Sequence, residues 1–400
     1  MSVVRRNIHG VTNYEKGRAF EGYTLFAPMM GRNVWLINMM GQVVHQWEME
    51  NIPGNYGKLL TNGNLLYIGK LMPSPLPEFG GNGGQLIEVD WDGNIIWEYR
   101  DPYHSHCFSE MDNGNLMIAQ WREVPEEIAK EVKGGQPETE LKGVMWGEAI
   151  QEIDRKTKAV VWEWCSFDHL DVDIDIIGPL HPRDRWTNLN AITMMQDGNL
   201  LVSFRCINTI AIIERSTNNI IWRWGADEIA GQHNPTLLEN GNILLFDNGA
   251  HRNYTTIDYS RVIEVNPNTN QIEWEYKEDP PFDFNSFICS GAQRQPNGTT
   301  LICEALKGRI FEVTREGDIV WEFHSPFYYD HALFGNNNMV FRAYRYGADH
   351  PGVKDANLDP QDYPVVNALM PRLFTKGRKS NLAHATGSSF EIGGFRNEDK

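Results

Sequence analysis

One hairpin unit recurs along this chain, and it limits the fold more than any other feature. An aliphatic run, an Asn-Gly or Asp-Gly turn and a second aliphatic run appear as "KLLTNGNLLYIG" (58–69), "FSEMDNGNLMIA" (108–119), "ITMMQDGNLLVSF" (192–204), "TLLENGNILLF" (236–246) and "AQRQPNGTTLICE" (292–304). A degenerate sixth copy is "ALFGNNNMVFRA" (332–343). Asn-Gly between such runs signals a hairpin, expected as a type I′ turn with positive φ at both central residues. A second unit alternates with the first: strand, short turn, and a strand that ends near a Trp. Its copies are "QLIEVDWDGNIIWEY" (85–99), "AIQEIDRKTKAVVWEW" (149–164), "TIAIIERSTNNIIWRW" (209–224), "RVIEVNPNTNQIEWEY" (261–276), "RIFEVTREGDIVWEF" (309–323) and, at the N-terminal end, "VWLINMMGQVVHQWE" (34–48). Trp97, Trp162, Trp222, Trp274 and Trp321 read as packing residues between repeats.

Two hairpins per repeat make a four-stranded antiparallel sheet, and six such sheets set radially make an all-β, six-bladed β-propeller over residues 1–351. The chain starts with a second unit and ends with a first unit. The last blade should therefore join inner strands from about 326–346 to outer strands from about 33–48, leaving no free edge. Residues 352–400 read as an irregular tail in which "TKGRKSNLAHATGSS" wraps the surface or is disordered.

Consecutive antiparallel strands turn alternately at the two faces of the ring. All the tight turns then share one face. The long insertions 70–84, 120–146, 165–188, 247–260 and 277–289 share the other, where binding residues collect. Seven residues before each turn Asn or Asp, at the open end of the innermost strand, stand Asn55, His106, Asn190, His233 and Ser290. The shorter sixth repeat offers Tyr329 and His331. Polar groups in one register of every blade converge on the central channel. Some of them need only line water there, and His106, His233 and His331 stand out as functional. Arg205 ends its strand on the same face, aimed at the channel mouth or held in a salt bridge by a loop carboxylate. His251 lies on a loop able to border the entrance.

Composition sets outer limits. The formal charge of −17 argues against nucleic acid or an anionic membrane as a main partner, yet says nothing of a small anion. Five cysteines without metal-type spacing suggest small buried thiols in a reducing compartment. The N-terminus shows no apolar leader, and no run approaches the ~18 apolar residues that span a bilayer. The expectation is a cytoplasmic protein, with homo-oligomerisation left open. No P-loop, GxGxxG after a strand or GxSxG elbow occurs, and "GGNGG" (80–84) lacks the strand-loop-helix context of a phosphate loop. A channel rich in His, Asn and Arg suits an anionic or aromatic small molecule, and no organic cofactor is implied.

The stretches "GVTNYEKGRAFEGYTLFAPMMGRNVWLINMMGQVVHQWEM" (10–49), "NAITMMQDGNLLVSFRCINTIAIIE" (190–214), "IIWRWG" (220–225), "QHNPTLLENGNILLFDNG" (232–249) and "FRAYRYGADHPG" (341–352) resemble the bacterial aryl sulfotransferase family. The resemblance implies a six-bladed propeller that moves a sulfuryl group between phenols through a sulfurylated channel histidine. It implies His233 as that nucleophile, with Asn190 and Arg205 on the sulfuryl oxygens. The upstream channel histidine falls on His106, or on His104. The family's His-x-Asn reads Asn188-Leu189-Asn190 here, so Asn188 joins the substrate-binding candidates. Two other readings stay open. One is a hydrolase or lyase using the same channel, with His106, His233 and His331 able to ligate a metal ion. The other is a propeller that binds without chemistry.

Overall fold

The computed structural model describes residues 9–252, 255 and 257–369. It is a ring of six antiparallel β-sheets, five of four strands and one of five. The first five innermost strands are Pro53–Leu59, His104–Glu110, Leu189–Met194, His233–Leu237 and Gly291–Arg294. The sixth is Val340–Gly347. Neighbouring inner strands touch around the ring, so a single channel runs between them.

The hairpins lie where the sequence places them, but their turns differ from expectation. Positive φ occurs at Gly63, Gly114, Gly198, Gly241 and Gly298 and not at the Asn or Asp before each. The loops are therefore three residues long, a type I turn followed by one left-handed glycine, rather than type I′. The preceding side chain explains the choice. Asn62 Oδ1 accepts the Asn64 N–H and Asn240 Oδ1 accepts the Asn242 N–H, which holds the Asn itself in a right-handed turn.

The repeat tryptophans staple blade to blade. Trp97 and Trp274 donate their indole N–H to the backbone oxygens of Arg155 and Arg315, in the outer turn of the following blade. The same arginines lie over those rings and pair with Glu88 and Glu264, which also accept from the Asn side chains of their own hairpin turns. The Asn113 turn is tied to the next blade in the same way, through Glu152 and Arg215.

Ring closure departs from the expected two-plus-two. The C-terminal part supplies only the innermost strand, and three strands come from the N-terminal part: Gly22–Pro28, Asn33–Ile37 and Val43–Glu48. The segment 326–338 lacks the alternating aliphatics a blade strand needs. It folds instead as a small hairpin, Tyr329–His331 with Gly335–Asn337, and "ALFGNNNMVFRA" is not a repeat hairpin. Gly10–Tyr14 pairs with Ile319–His324, so the N-terminal part also adds a fifth strand to the preceding blade. Within the segment read as a tail, Pro364–Leu369 is helical, and Asn367 bonds the backbone of Val43 in the outermost closing strand. The stretch "TKGRKSNLAHATGSS" lies outside the described residues.

Arg345 holds the closing strand in place. Its side chain is fully buried against Glu312, and it also donates to Thr24 Oγ1 and the Phe20 carbonyl. Burial pulls its pKa down to about 10 even beside that carboxylate. Desolvation therefore outweighs the pairing, and the ion pair serves registry more than net stability. Arg345→Met should lower unfolding free energy by about 3–5 kcal/mol, because Glu312 stays buried without its cation. Adding Glu312→Leu should recover most of that loss, read as the shift in denaturation midpoint.

Candidate functional site

A cavity of about 240 Å³ opens where the channel meets the long loops. Its floor is built by Asn55, His106, Asn190 and His233 from four inner strands. Its walls come from Arg185, Asn188 and Arg205, from Gly80 and Gly81, and from Ile288 and Cys289. The small hairpin contributes His331, Leu333 and Phe334, and Phe341 stands on the closing strand. No carboxylate is among these lining residues.

His233 is the most tightly specified of them. Its Nδ1 lies 3.0 Å from the Gly231 carbonyl and 2.8 Å from Asn248 Oδ1. The Asn248 amide cannot be turned over, since its Nδ2 donates to the carbonyls of Ser286 and Cys289 at 2.6 and 2.9 Å. Both partners of Nδ1 are thus acceptors, so Nδ1 carries the proton and Nε2 keeps its lone pair. Burial first, then the Arg205 charge, holds this imidazole well below its ordinary pKa, and it is neutral at pH 7.

His106 has the same tautomer. Its Nδ1 donates to the Gly81 carbonyl at 3.2 Å, and burial, helped by Arg342, lowers its pKa to about 3. The glycine-rich loop is its holder. Gly81 has φ +86°, and a Cβ there would sit 2.7 Å from His106 Nδ1. Asn82 bridges to Ser105, and the Gly83 N–H donates to the His104 carbonyl, so the loop lies flat on the His106 strand.

Asn190 donates to the Gln232 carbonyl at 2.7 Å, and its Oδ1 has no partner among the described residues. Asn188 lines the wall at φ +49°, a left-handed conformation that Asn tolerates well. Behind both, the buried Glu148 accepts from the Leu189 N–H at 2.9 Å and from the Thr187 hydroxyl. Without a cation of its own, that carboxyl is raised to about 8 by burial.

Arg205 reaches the cavity and forms no salt bridge among the described residues, which removes the competing reading of a loop ion pair. Arg185 lies over the Phe79 ring, 4.5 Å from its centroid. Arg342 backs the floor, donating to the Asn190 carbonyl at 2.7 Å. Three guanidinium groups thus line or back a cavity that no carboxylate lines, one of them, Arg185, paired with Asp184 at 3.3 Å, while the imidazoles are neutral.

Four expected residues fall elsewhere. Ser290 turns inward, donating to Ser286 Oγ and accepting from the Ala305 N–H, so Cys289 takes the wall beside it. His104 folds back with Nε2 against the Cys107 carbonyl. His251 is exposed and stacks loosely near His181, outside the lining. Tyr329 packs its phenol over Gly31, where a Cβ would lie 2.6 Å from its ring, and anchors the small hairpin. His331 does line the cavity, but from that hairpin rather than from an inner strand. His106, His233 and His331 share one cavity, yet among the described residues no three His, Cys, Asp or Glu converge as a metal-ligand set.

Sequence reasoning missed Asn248, Arg185 and Arg342. The first had a readable signal. Eight residues after each turn Asn or Asp stand Lys70, Trp121, Arg205, Asn248 and Ala305, a second register on the open face. Arg205 and Asn248 are equivalent in the repeat. Arg342 follows no turn, because its strand is the unaccompanied closing one.

A family model described as arylsulfotransferase matches residues 77–326. No curated protein matches the chain by sequence. Among solved structures, a protein of unknown function from Bacteroides caccae superposes with TM-score 0.52 at 14% identity, covering 81% of this chain and 98% of its own. A streptogramin B lyase gives TM-score 0.45 at 13% identity over 84% and 93%. A virginiamycin B lyase from Staphylococcus aureus gives 0.43 at 13% over 80% and 84%. At these identities the first likeness speaks for the fold alone, and the other two carry no argument.

Proposed function

The chain belongs to the arylsulfotransferase family, and from that premise we propose that it moves a sulfuryl group from an aryl sulfate to a phenolic acceptor through a sulfo-histidine on Nε2 of His233. The observation that carries this reading is the double acceptor at Nδ1. Gly231 and Asn248 fix the proton there, so the lone pair of Nε2 is left for attack.

Charge balances along the path. Neutral His233 Nε2 bonds to sulfur as the S–O ester bond breaks, and the phenolate leaves. An aryl sulfate of charge −1 and a neutral imidazole give a zwitterionic sulfo-imidazolium and a phenolate of charge −1. The imidazolium retains its Nδ1–H, and the two carbonyl acceptors stabilise its positive charge. In the second half the acceptor phenol gives its proton to the departing phenolate and attacks the same sulfur as phenolate, the S–N bond breaks, and His233 returns to the neutral form, leaving one aryl sulfate of charge −1 and one neutral phenol.

Arg205, Arg185 and Asn190 supply cationic and amide donors for the three equatorial oxygens, where charge is spread in such a displacement. The volume of about 240 Å³ is below the ~300–1,000 Å³ common for drug-sized ligands. It suits a single ring and its sulfate, with the ring against Phe341, Ile288 and Phe334.

Mixing the protein with an activated aryl sulfate should add the mass of one sulfuryl group to the peptide that contains His233. Absence of both adduct and turnover across a panel of aryl sulfates sinks the proposal.

A further inference from the structure

Three histidines line the cavity, and they do not present the same edge to it. His233 and His106 each place Nδ1 on acceptors, so each keeps its proton there and Nε2 carries a lone pair, which in His106 faces the Cys107 thiol at 3.7 Å. His331 is the reverse. Its Nδ1 lies 3.1 Å from the Leu333 backbone nitrogen and 3.4 Å from that of Phe334. Both partners are N–H donors, so Nδ1 is the acceptor and the neutral ring carries its proton on Nε2. Burial and the nearby Lys70 charge both disfavour a cation here. His331 is therefore the one cavity imidazole with an N–H to give.

Its position matters as much as its tautomer. The hairpin that carries it lies in the link between the fifth and sixth blades, and its Leu333 and Phe334 supply apolar wall. Inner strands hold the nucleophile and Asn190, and the wall loops hold Arg185 and Arg205. An in-line displacement at sulfur puts the leaving oxygen opposite the attacking nitrogen, on the side of the aryl group. The guanidinium groups are engaged with the equatorial oxygens in the same step.

Building on the sulfo-His233 reading, the geometry points to His331 as a catalytic residue whose Nε2–H hydrogen-bonds the bridging ester oxygen as the S–O bond breaks. The proton stays on His331, and the aryl group departs as phenolate, stabilised by that hydrogen bond. Negative charge on this oxygen grows most when the phenol is a weak acid. The contribution of His331 must then grow with the leaving group's pKa.

The test is kcat/KM for wild type and His331→Asn across substituted phenyl sulfates whose phenols span pKa about 7 to 10. Asn keeps an acceptor for the Leu333 N–H, as Asn62 does for Asn64, so the turn is retained while the imidazole donor is lost. The variant should lose roughly 10²-fold or more with the poorest leaving groups and far less with the best, giving a steeper dependence on leaving-group pKa. An equal loss for every phenol would mean that His331 only shapes the lid, and would overturn the assignment. The sulfo-His233 adduct on wild type, measured in parallel, separates the two ideas. Adduct with parallel slopes rejects His331 alone; no adduct and no wild-type turnover rejects the mechanism it rests on.

Discussion

In the His233→Ala protein, sulfuryl transfer should fall by at least ~10⁴-fold, and the sulfurylated peptide should disappear. The argument is that Nε2 forms the bond that splits one difficult transfer into two easier ones. Alanine leaves Asn248, Arg205 and His106 in place, so substrate can still enter and be held. KM for the donor should therefore change little while kcat collapses, and an unchanged melting temperature would exclude a folding defect as the cause. The pH profile carries a second check. Burial and Arg205 keep the His233 imidazole well below its ordinary pKa, so it is neutral and competent from pH 6 to 8. Protonation of this residue should depress the rate only upon acidification well below 6.5. A limb with a midpoint near 6.5 in the single-turnover rate of sulfo-His233 formation by wild type would contradict the buried, neutral nucleophile.

Arg205→Ala should cost about 10²–10³ in kcat/KM, equivalent to about 2.7–4 kcal/mol of transition-state stabilisation. Its side chain is partly buried, and desolvation lowers its pKa, yet no carboxylate pairs with it among the described residues. A partly desolvated cation without an anion is costly in the empty protein and becomes useful once a sulfuryl group arrives. The same substitution should therefore leave thermal stability unchanged or raise it, a trade between stability and activity. Inorganic sulfate should raise the melting temperature of wild type and have a much smaller effect on Arg205→Ala. A strongly destabilised Arg205→Ala protein would show that the residue is structural, in place of the anion-binding role argued for it.

Much of this molecule was legible before any coordinates. The hairpin period gave the blade count, and the alternation of turn length gave the open face. The register seven residues before each turn gave Asn55, His106, Asn190 and His233, all of which line the cavity. The same register failed at Ser290, where a left-handed backbone swings the side chain inward onto Ser286 and Ala305. It also failed in the sixth blade, where no tight turn follows the inner strand and the polar segment before it folds as a lid. Asn248 was readable in principle, as the repeat equivalent of Arg205, but its role was not. What makes it matter is a pair of carbonyls more than thirty residues away that fix its amide.

The division between the two kinds of information follows from range. Local pattern determines the strand, the turn and the face, because alternation and turn chemistry act over a few residues. It therefore established an all-β ring of six blades with His233 at the open end of an innermost strand. Tautomers, charge pairing and closure depend on groups that meet only across the fold. Which nitrogen of His233, His106 or His331 holds the proton is set by Gly231, Asn248, Gly81 and the lid backbone. That choice, which no periodicity encodes, leaves two channel histidines with an unprotonated Nε2 and one with a proton to share there.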